Sequence, residues 1–416
     1  MNILLINHYA GSLRYGMEYR PFYLAREWVK QGHSVTIVAG SYSHVRTVNP
    51  KVEKDYYAEE DNGIKYIWFK TCYYDGNGVK RALSMLQFIR KISANAKRLI
   101  EDTHPDIVIS SSTYPLDTFP AHKIAKKTKA TLIHEVHDMW PLTLIEIAGM
   151  SKLHPFIVLI QYAENYAYKH SNAVVSLLPN AKDYMVEHGM KPENFFYVPN
   201  GIVVSDWENK ICLPPEQESK LKELKEQGKI ICAYFGSHTT TYGLKYFIDS
   251  SALVDTEKVE IVLVGSGMEK DNFIKQAREA GYPNVTFLDP VPKQAVPSLL
   301  DYVDIVYVGG TRSKMRKFGA AMNKVYDSMM AGKPIVYAVD IPNNDVDRFH
   351  CGITVDLESS KAIADGINRL ASMTSEKRKE IGANGHNAAL EYYDYRSISS
   401  SFIDIMKKIR YQNKNE

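Results

Sequence analysis

The sequence has few cysteines and lacks the cysteine pairs that build zinc sites. Its four cysteines, Cys72, Cys212, Cys232 and Cys351, are far apart in 416 residues and form no CxxC pair. Structural zinc sites usually take their ligands from such closely spaced pairs, so this spacing argues against one. Isolated cysteines are typical of reduced thiols, and we expect a cytoplasmic protein.

Long apolar runs and an excess of charge of one sign are also missing. Apolar runs such as "FIVLI" at 156–160 are far shorter than the about 20 residues of a membrane-spanning helix. The opening "MNILLINHY" has the pattern of a strand, so we expect no signal peptide. Lys and Arg number 51 and Asp and Glu 48, and the formal charge of +3 gives no general reason to bind nucleic acid.

Short β-branched runs alternate with amphipathic stretches along the first half of the chain. The stretch 21–32 has apolar residues at helical spacing and ends at Gly32. Strand, helix and strand in alternation predict a doubly wound parallel sheet. The predicted strands are 2–7, 34–39, 64–69, 106–110, 131–136 and 173–178.

The same alternation starts again after a segment without periodicity, 198–219, which contains three prolines and is typical of a linker. A chain of 416 residues with 45% hydrophobic residues is too long for one ordinary core. We therefore predict an α/β fold of two doubly wound, Rossmann-like domains, 1–200 and 201–395, that face an inter-domain cleft. A last helix at 396–416 can cross back to the first domain. Ligands of such sheets bind at the carboxyl ends of the strands.

A loop with glycines follows the first predicted strand. In "NHYAGSLRYGMEYRP" (7–21), Gly11, Ser12 and Gly16 precede a helix, so backbone N–H groups and the helix N-terminus can bind a phosphate. The glycines are five residues apart, which does not fit the G-x-G-x-x-G loop of dinucleotide-binding oxidoreductases. The alternative is a long surface connection, but the length and charges of the loop favour a site.

Two later segments also have the pattern of an anion site. "VGSGMEKD" (264–271) places Gly265 and Ser266 between a strand and a helix, where they can bind phosphate or a nucleoside. "GAAMNKVYDSMMAGKPIV" (319–336) predicts a helix with Lys324 in its first turn, where a diphosphate would offset the repulsion between lysine and helix dipole. Asn323 and Asp327 are one turn apart and can both contact a ribose. In the alternative, Asn323 only caps the helix and Asp327 is solvated.

This last segment resembles the nucleotide-binding segment of the family 4 glycosyltransferases, which are retaining enzymes of the GT-B fold. The resemblance implies that Asp327 is the carboxylate that binds ribose. Gly319 occupies the position of the family's sugar-binding glutamate. The loop 234–244, which includes Gly236, is similar to the diphosphate loop of the family, but Ser237 and Tyr242 replace its arginine and lysine.

The resemblance covers nearly the whole chain and is most specific near its start. Segments 7–46, 76–81 and 134–141 are very similar to the subgroup that transfers N-acetyl-fucosamine-type sugars in bacterial O-antigen synthesis. Because Ser237 and Tyr242 replace two cations of the family's diphosphate loop, other cations are required there. A buried anion without partners costs several kcal/mol. The segment 309–318 is rich in lysine and arginine, and we expect Lys324, with Arg312 or Lys314, to neutralise the phosphates. The alternative is a solvated basic loop.

The resemblance also implies catalytic residues. His137, at the end of a predicted strand, matches the family's active-site histidine, which contacts the donor sugar. In a retaining transferase of this kind the leaving diphosphate helps to take the proton of the acceptor, so no protein nucleophile is needed. Glu18 and Asp138 are candidates for orienting or deprotonating the acceptor. The alternative for His137 is a structural histidine.

Asp345 and Asp347 have the spacing of an Asp-x-Asp metal site. They follow a predicted strand in a Pro-Asn context and match no metal site of the resembled family. We interpret them as part of a surface turn, and we predict no cofactor and no obligatory metal.

Residues 80–100 predict a cationic amphipathic helix, and 154–170 a second amphipathic stretch. The basic residues of the first can contact anionic lipid, each contributing about 1 kcal/mol near the surface. A packed helix with solvated cations fits the residues equally well. The lipid-linked acceptor that the resemblance implies favours peripheral contact with the inner face of the membrane. The basic residues in question are Lys80, Arg81, Arg90 and Lys91.

These features predict a retaining, metal-independent hexosyltransferase. It would move an N-acetylated 6-deoxyhexose from a UDP-sugar to a polyprenyl-diphosphate-linked or polysaccharide acceptor in O-antigen or capsule synthesis. A UDP-sugar epimerase of the same fold is one alternative. A non-catalytic sugar-nucleotide-binding protein is another, because Gly319 replaces a carboxylate.

Overall fold

Alternating strands and helices build both halves of the chain in this computed structural model, which describes residues 1–76 and 78–415. The molecule divides into two units, one of Met1–Asn200 with Tyr395–Glu416 and the other of Gly201–Asp394. The boundaries predicted from the sequence are after residues 200 and 395.

The first unit has an eight-stranded sheet with helices between its strands. The strands are β1 (Asn2–Ile6), β2 (Ser34–Gly40), β3 (Tyr57–Asp61), β4 (Ile64–Phe69), β5 (Ile107–Ser110), β6 (Thr131–Val136), β7 (Ala173–Ser176) and β8 (Phe195–Tyr197). The helices are α1 (Arg20–Lys30), α2 (Val79–Ala94), α3 (Ala96–Thr103), α4 (Thr118–Thr128), α5 (Leu142–Glu146), α6 (Pro155–His170) and α7 (Lys182–Glu187). The strand order is β3-β4-β2-β1-β5-β6-β7-β8, and neighbouring strands are parallel except β3 and β4.

The burial of the strands follows from their apolar sequences. Strands β5, β6 and β7 are buried along their whole length, as expected of parallel strands covered on both faces. Strand β3, "YAEED", is mostly exposed and forms a hairpin with β4 around Asn62 and Gly63. These two residues have φ of 54° and 75°, which fits the primed turn that Asn-Gly prefers. Strand β3 was not predicted from the sequence, because its polar residues hide the strand pattern.

The second unit has a six-stranded parallel sheet. Its strands are β9 (Ile230–Phe235), β10 (Val259–Val264), β11 (Val285–Leu288), β12 (Ile305–Gly309), β13 (Ile335–Ala338) and β14 (Gly352–Thr354). Its helices are α8 (Val204–Glu208), α9 (Pro215–Glu226), α10 (Leu244–Asp249), α11 (Lys270–Glu279), α12 (Val296–Tyr302), α13 (Asn323–Met330), α14 (Asp345–Arg348), α15 (Ser360–Ala371) and α16 (Ser375–Tyr392). The strand order is β11-β10-β9-β12-β13-β14.

Both sheets change winding direction next to their first strand. Strand β1 lies between β2 and β5, and β9 lies between β10 and β12. Ligands of open α/β sheets bind at the carboxyl ends of the strands beside such a switch point. The predicted α/β fold of two Rossmann-like parallel sheets is confirmed.

The predicted linker 198–219 is partly helical, although its residues show no helical periodicity. It contains α8 and the first turn of α9. Pro215 occupies the first position of α9, where a proline costs no hydrogen bond because that N–H has no partner in the helix.

The last helix, α17 (Tyr395–Asn415), packs on α1 in the first unit. The indole N–H of Trp28 donates to the carbonyl of Ser399 at 3.2 Å, and the ring of Trp28 meets the ring of Phe402 edge-on at 5.3 Å. Asn77, in the similar segment 76–81, and Glu416, at the end of the predicted helix, lie outside the described residues. Within residues 1–76 and 78–415, no helix is both long enough and apolar enough to cross a membrane.

Candidate functional site

A buried carboxylate organises the carboxyl end of the first sheet. Glu135, on β6, accepts from Arg20 Nε at 3.0 Å through one oxygen. Its other oxygen accepts from the hydroxyl of Ser111 at 2.7 Å and lies 3.1 Å from Nε2 of His137. Arg20 also donates to the carbonyls of Val198 and Pro199. The result is a chain of charged groups, positive, negative, positive, with His137 at its outer end.

The charges around His137 decide its protonation. Burial acts to lower the pKa of His137, but Glu135 and Glu18 outweigh it and raise that pKa to about 9. Burial likewise acts to raise the pKa of Glu135, but Arg20 and His137 hold it well below its usual range. His137 is therefore an imidazolium at neutral pH, which donates hydrogen bonds and cannot take up a proton.

The two candidate carboxylates near His137 have different surroundings. An oxygen of Glu18 lies 3.7 Å from Nδ1 of His137, and about a third of the Glu18 side chain is exposed (36%). Asp138 instead accepts three hydrogen bonds from residues that follow it closely, from the backbone N–H of Met139, the indole of Trp140 and the hydroxyl of Thr143 at the start of α5. These bonds give Asp138 a role in ordering the loop. Its role toward an acceptor stays a prediction, as does that of Glu18.

Gly11, Ser12 and Gly16 fold the loop 7–19 onto itself. The N–H of Gly11 donates to the carbonyl of Glu18 at 2.9 Å, and the N–H of Gly16 donates to the carbonyl of Ser12 at 2.8 Å. A Cβ on Gly11 would lie 1.9 Å from the carbonyl oxygen of Gly16. The close approach that requires glycine is thus within the loop, and donor binding by these three residues stays a prediction.

Lys324 lies across the carboxyl end of β9 in the second unit. A Cβ on Gly236 would be 2.6 Å from Cε of Lys324, and the ammonium lies over the rings of Tyr242 at 3.8 Å and Tyr234 at 4.8 Å. Burial lowers the pKa of Lys324 to about 8, against the attraction of Asp327. Among the described residues, the ammonium has no hydrogen-bond acceptor. The surroundings of this ammonium fit a cation that binds an anionic ligand.

Asp327 and Asn323 do not share an environment, although both belong to α13. Asp327 is buried, and its two carboxylate oxygens accept from Nζ of Lys293 at 2.7 and 2.6 Å. Asn323 is exposed and is not the cap of the helix, because Met322 occupies the capping position without a side-chain hydrogen bond. Lys293 was missed from the sequence, since it lies 34 residues before its partner and carries no motif.

The loops after β9 and β10 are joined by backbone hydrogen bonds. The N–H of His238 donates to the carbonyl of Ser266, and a Cβ on Gly265 would lie 1.9 Å from the carbonyl oxygen of Gly236. Ser237 is exposed, and its carbonyl accepts from the hydroxyl of Tyr234 at 2.7 Å. The fold thus brings the predicted residues of the two loops together at the carboxyl ends of β9 and β10. These residues are Gly236, Ser237, Gly265 and Ser266.

His238 contributes no charge to this edge. It is fully buried, and neither ring nitrogen has a hydrogen-bond partner among the described residues. Burial, with Lys270 and Lys324 nearby, lowers the pKa of His238 to about 4, so its imidazole is neutral. His238 was not among the residues predicted from the sequence.

The basic segment before α13 is a short 3-10 helix, Lys314–Phe318, and its cations have different surroundings. Arg312 is exposed (78% of its side chain) and lies 3.4 Å from a carboxylate oxygen of Glu358, and Lys314 is exposed too. Arg316 instead folds back over Gly310, and burial lowers the pKa of its guanidinium. Among the described residues, that guanidinium has no hydrogen-bond or ion-pair partner.

Gly319 ends this 3-10 helix with φ of 98°. Glycine adopts such a φ readily, whereas a glutamate there would be strained. The position where the resembled family has a sugar-binding carboxylate is therefore used here to turn the chain.

Asp345 and Asp347 belong to α14 and not to a surface turn, which corrects the prediction. Asn344 caps this helix by accepting from the N–H groups of Val346 and Asp347, and Asp345 is buried. Within residues 1–76 and 78–415, no group of three or more His, Cys, Asp and Glu side chains could hold a metal ion.

The predicted cationic helix 80–100 is divided into α2 and α3 at Asn95. Lys80 and Arg90 are exposed. Arg81 lies over the rings of Tyr9 and Trp140, at 5.5 and 5.4 Å. Lys91 donates to Asp55 at 2.8 Å and to the carbonyl of Lys70 at 2.6 Å. Two of the four basic residues that were predicted to contact lipid, Arg81 and Lys91, therefore have partners within the first unit.

Comparison with known families agrees with the two-unit architecture. Residues 16–201 match the model of a glycosyl transferase 4-like domain, and residues 215–388 match the model of glycosyl transferases group 1. The chain is a GT-B glycosyltransferase. Among curated proteins, no sequence matches this glycosyltransferase.

Solved structures share the fold of the glycosyltransferase at low sequence identity. HepE of Anabaena, solved in complex with UDP and glucose, superposes with a TM-score of 0.69 at 16% identity over 98% of this chain and 100% of its own. Sucrose-phosphate synthase of Thermosynechococcus elongatus gives 0.70 at 14% identity over 98% of each chain. WaaG, a glycosyltransferase involved in lipopolysaccharide biosynthesis, gives 0.67 at 15% over 97% of this chain and 99% of its own.

Proposed function

We propose that this glycosyltransferase uses a UDP-sugar as its donor. One observation carries the proposal: the ammonium of Lys324 lies at the start of α13 and at the end of β9, with two aromatic rings but no acceptor among the described residues. Cation–π contacts contribute about 0.5–2 kcal/mol and do not neutralise the charge. A diphosphate would supply that neutralisation, and the buried carboxylate of Asp327, one turn further on, is suited to ribose hydroxyls.

The transfer is proposed to be retaining and independent of metal. Two cations, Lys324 and Arg316, lie at the carboxyl end of the second sheet, where the predicted donor residues are. They can offset the charge of the leaving diphosphate as a divalent cation does in other transferases. His137, as an imidazolium, is proposed to donate a hydrogen bond to the transferred sugar. The leaving phosphate then helps to take the proton of the acceptor hydroxyl.

The transferred sugar is proposed to be an N-acetylated 6-deoxyhexose, and the acceptor a polyprenyl-diphosphate-linked or polysaccharide chain in O-antigen or capsule synthesis. The residues that support this are those of 7–46, 76–81 and 134–141, which are very similar to one subgroup of the family. WaaG, which shares the fold, acts in lipopolysaccharide biosynthesis. Peripheral contact with the inner face of the membrane would bring the enzyme to such an acceptor.

The test is turnover of a panel of UDP-sugars with a short-chain lipid-diphosphate acceptor, in buffer with EDTA. We expect release of UDP only when both substrates are present, and a product with the anomeric configuration of the donor. A product of inverted anomeric configuration would overturn the retaining part of the proposal. Activity only after a divalent cation is restored would overturn the metal-independent part.

The same assay separates the two alternatives. An epimerase would convert the donor into a sugar isomer without an acceptor. A non-catalytic binding protein would bind UDP tightly and turn over no acceptor, and the glycine at position 319 is the observation that favours this second candidate.

A further inference from the structure

The side chain of Arg316 is placed by the local fold of its segment. The 3-10 helix Lys314–Phe318 is capped by the hydroxyl of Ser313, which accepts from the N–H of Met315 at 3.2 Å. From this helix the guanidinium of Arg316 reaches back across Gly310, where a Cβ would lie 2.2 Å from Nη2. Glycine at 310 is therefore needed for the guanidinium to lie where it does.

This position is the switch point of the second sheet. Gly310 directly follows β12, and Gly236, which lies beside the side chain of Lys324, directly follows β9. Strands β9 and β12 are neighbours, and the winding of the sheet reverses between them. Two cations thus lie at the two strand ends where an open α/β sheet binds its ligand.

Both cations act on Tyr242, and among the described residues neither forms an ion pair with an acidic side chain, although Asp327 attracts Lys324 from a distance. The ammonium of Lys324 is 3.8 Å from the centre of the Tyr242 ring, and the charge of Arg316 acts to lower the pKa of the same tyrosine against the opposite effect of burial. Within residues 1–76 and 78–415, neither cation has a hydrogen-bond or ion-pair partner. Two partly buried cations of this kind are unfavourable without an anion.

The other cations of the segment do not fit this role. Arg312 pairs with Glu358, and Lys317 is exposed with its ammonium 4.9 Å from the ring of Phe318. Lys314 is exposed and has a partner of its own. A guanidinium presents a planar fork of donors that matches two phosphate oxygens at once.

We propose that Arg316, together with Lys324, binds the diphosphate of the nucleotide sugar, in place of the arginine and lysine that Ser237 and Tyr242 replace. The expectation that Arg312 or Lys314 does so is superseded. This inference rests on the proposed function, because it takes a nucleoside diphosphate as the ligand.

The experiment is calorimetric titration of UDP, UMP and uridine into the full-length wild type, Arg316→Met and Arg312→Met. Arg312→Met is the matched control, since it removes an arginine of the same segment. For Arg316→Met we expect about a tenfold to hundredfold loss of UDP affinity, the range for a lost charge-assisted contact, a smaller loss for UMP and none for uridine. Arg312→Met should bind all three like the wild type.

The outcomes separate this inference from the proposed function. If the wild type does not bind UDP, both fail. If the wild type binds UDP, two results overturn only the role of Arg316. One is that Arg316→Met binds UDP within twofold of the wild type. The other is that Arg316→Met loses as much affinity for uridine as for UDP. Gly310→Ala serves as a second variant if Arg316→Met does not fold, because its methyl group displaces the guanidinium. It should reduce UDP affinity and spare uridine.

Discussion

At Asp327 the carboxylate proposed to bind ribose is already held by a lysine. Lys293 donates to both oxygens, and the pair is partly covered, with 32% of the lysine side chain exposed. A carboxylate has about four lone-pair sites, so ribose hydroxyls can share it with the ammonium. Lys293 thus fixes the orientation of Asp327, and its third N–H can contact the ribose as well.

Asp327→Ala should weaken UDP binding by about 1–3 kcal/mol, the cost of a lost charge-assisted hydrogen bond. Lys293→Met should weaken it less, because the carboxylate remains. Titration of UDP into the variants measures both effects. Lys225→Met, which breaks a comparable pair with Asp304 at 2.7 Å, is the control and should leave UDP affinity unchanged. Wild-type affinity in Asp327→Ala would remove this residue from the donor site.

The lowered pKa of Lys324 predicts a pH dependence of donor binding. With a pKa of about 8 in the free protein, the ammonium is intact at pH 7 and lost progressively above pH 8. A diphosphate binds the protonated form, so UDP affinity should be constant from pH 6.5 to 7.5 and fall by up to about tenfold per pH unit above 8. Titrations across pH 6.5–9 measure this.

Lys324→Met is the control for that pH series. It should bind UDP weakly at every pH and show no fall between pH 8 and 9. A wild type whose UDP affinity does not change up to pH 9 would show that Lys324 keeps its ordinary pKa or does not contact the phosphates.

At the scale of elements, regular patterns were predictable and short irregular ones were not. The buried runs of β1, β9 and β12 and the helical spacing of α13 follow directly from the order of apolar residues. The hairpin of β3 and β4 has a recognisable Asn-Gly turn, but the polar sequence of β3 conceals the strand. The 3-10 helix that places Arg316 has no periodic signal. The choice among four cations in one segment therefore depended on packing that only the structure provides.

Helix α2 is the element that tests membrane contact. Leu83 and Leu86 are about half exposed (49% and 47%), beside the exposed cations Lys80 and Arg90. Apolar and cationic side chains together can bind anionic lipid, and the attraction is screened beyond about 10 Å at 0.1 M salt. We expect the protein to sediment with anionic vesicles at low salt and to leave them at high salt.

The variants for this test follow from the contacts of the cations. Arg81, Lys91 and Arg98 have ring or carboxylate partners, so their reversal would disturb the fold. Lys80→Glu with Arg90→Glu should abolish sedimentation and lower activity on a lipid-linked acceptor, but spare a soluble analogue. The control is charge reversal at two exposed lysines of α4, Lys126 and Lys127. It should change neither sedimentation with vesicles nor activity on the lipid-linked acceptor. No vesicle binding by the wild type, or equal loss on both acceptors, would contradict membrane contact.

At the scale of the whole molecule, each unit has its own set of charged groups at the carboxyl ends of its strands. In the first, Glu135 holds Arg20 and His137 in a closed network. In the second, Lys324 and Arg316 form no hydrogen bond or ion pair with an acidic side chain of the described residues. His137 could be proposed from the sequence, because it follows a strand and matches a family position. Glu135, two residues earlier, could not, since a carboxylate inside a strand gives no signal until its partners are known.

This difference between the units predicts that binding and turnover can be separated by mutation. His137 belongs to the first unit, and its proposed contact is with the sugar and not with the nucleotide. His137→Ala should therefore bind UDP within about twofold of the wild type and lower kcat at least tenfold, which is about 1.4 kcal/mol of transition-state stabilisation. Because Arg20 remains paired with Glu135 in this variant, the fold should persist, which a thermal melt checks. Lys324→Met is the counterpart and should weaken UDP binding. Wild-type turnover in His137→Ala would leave His137 as a structural residue, and a loss of UDP affinity there would place it in nucleotide binding instead.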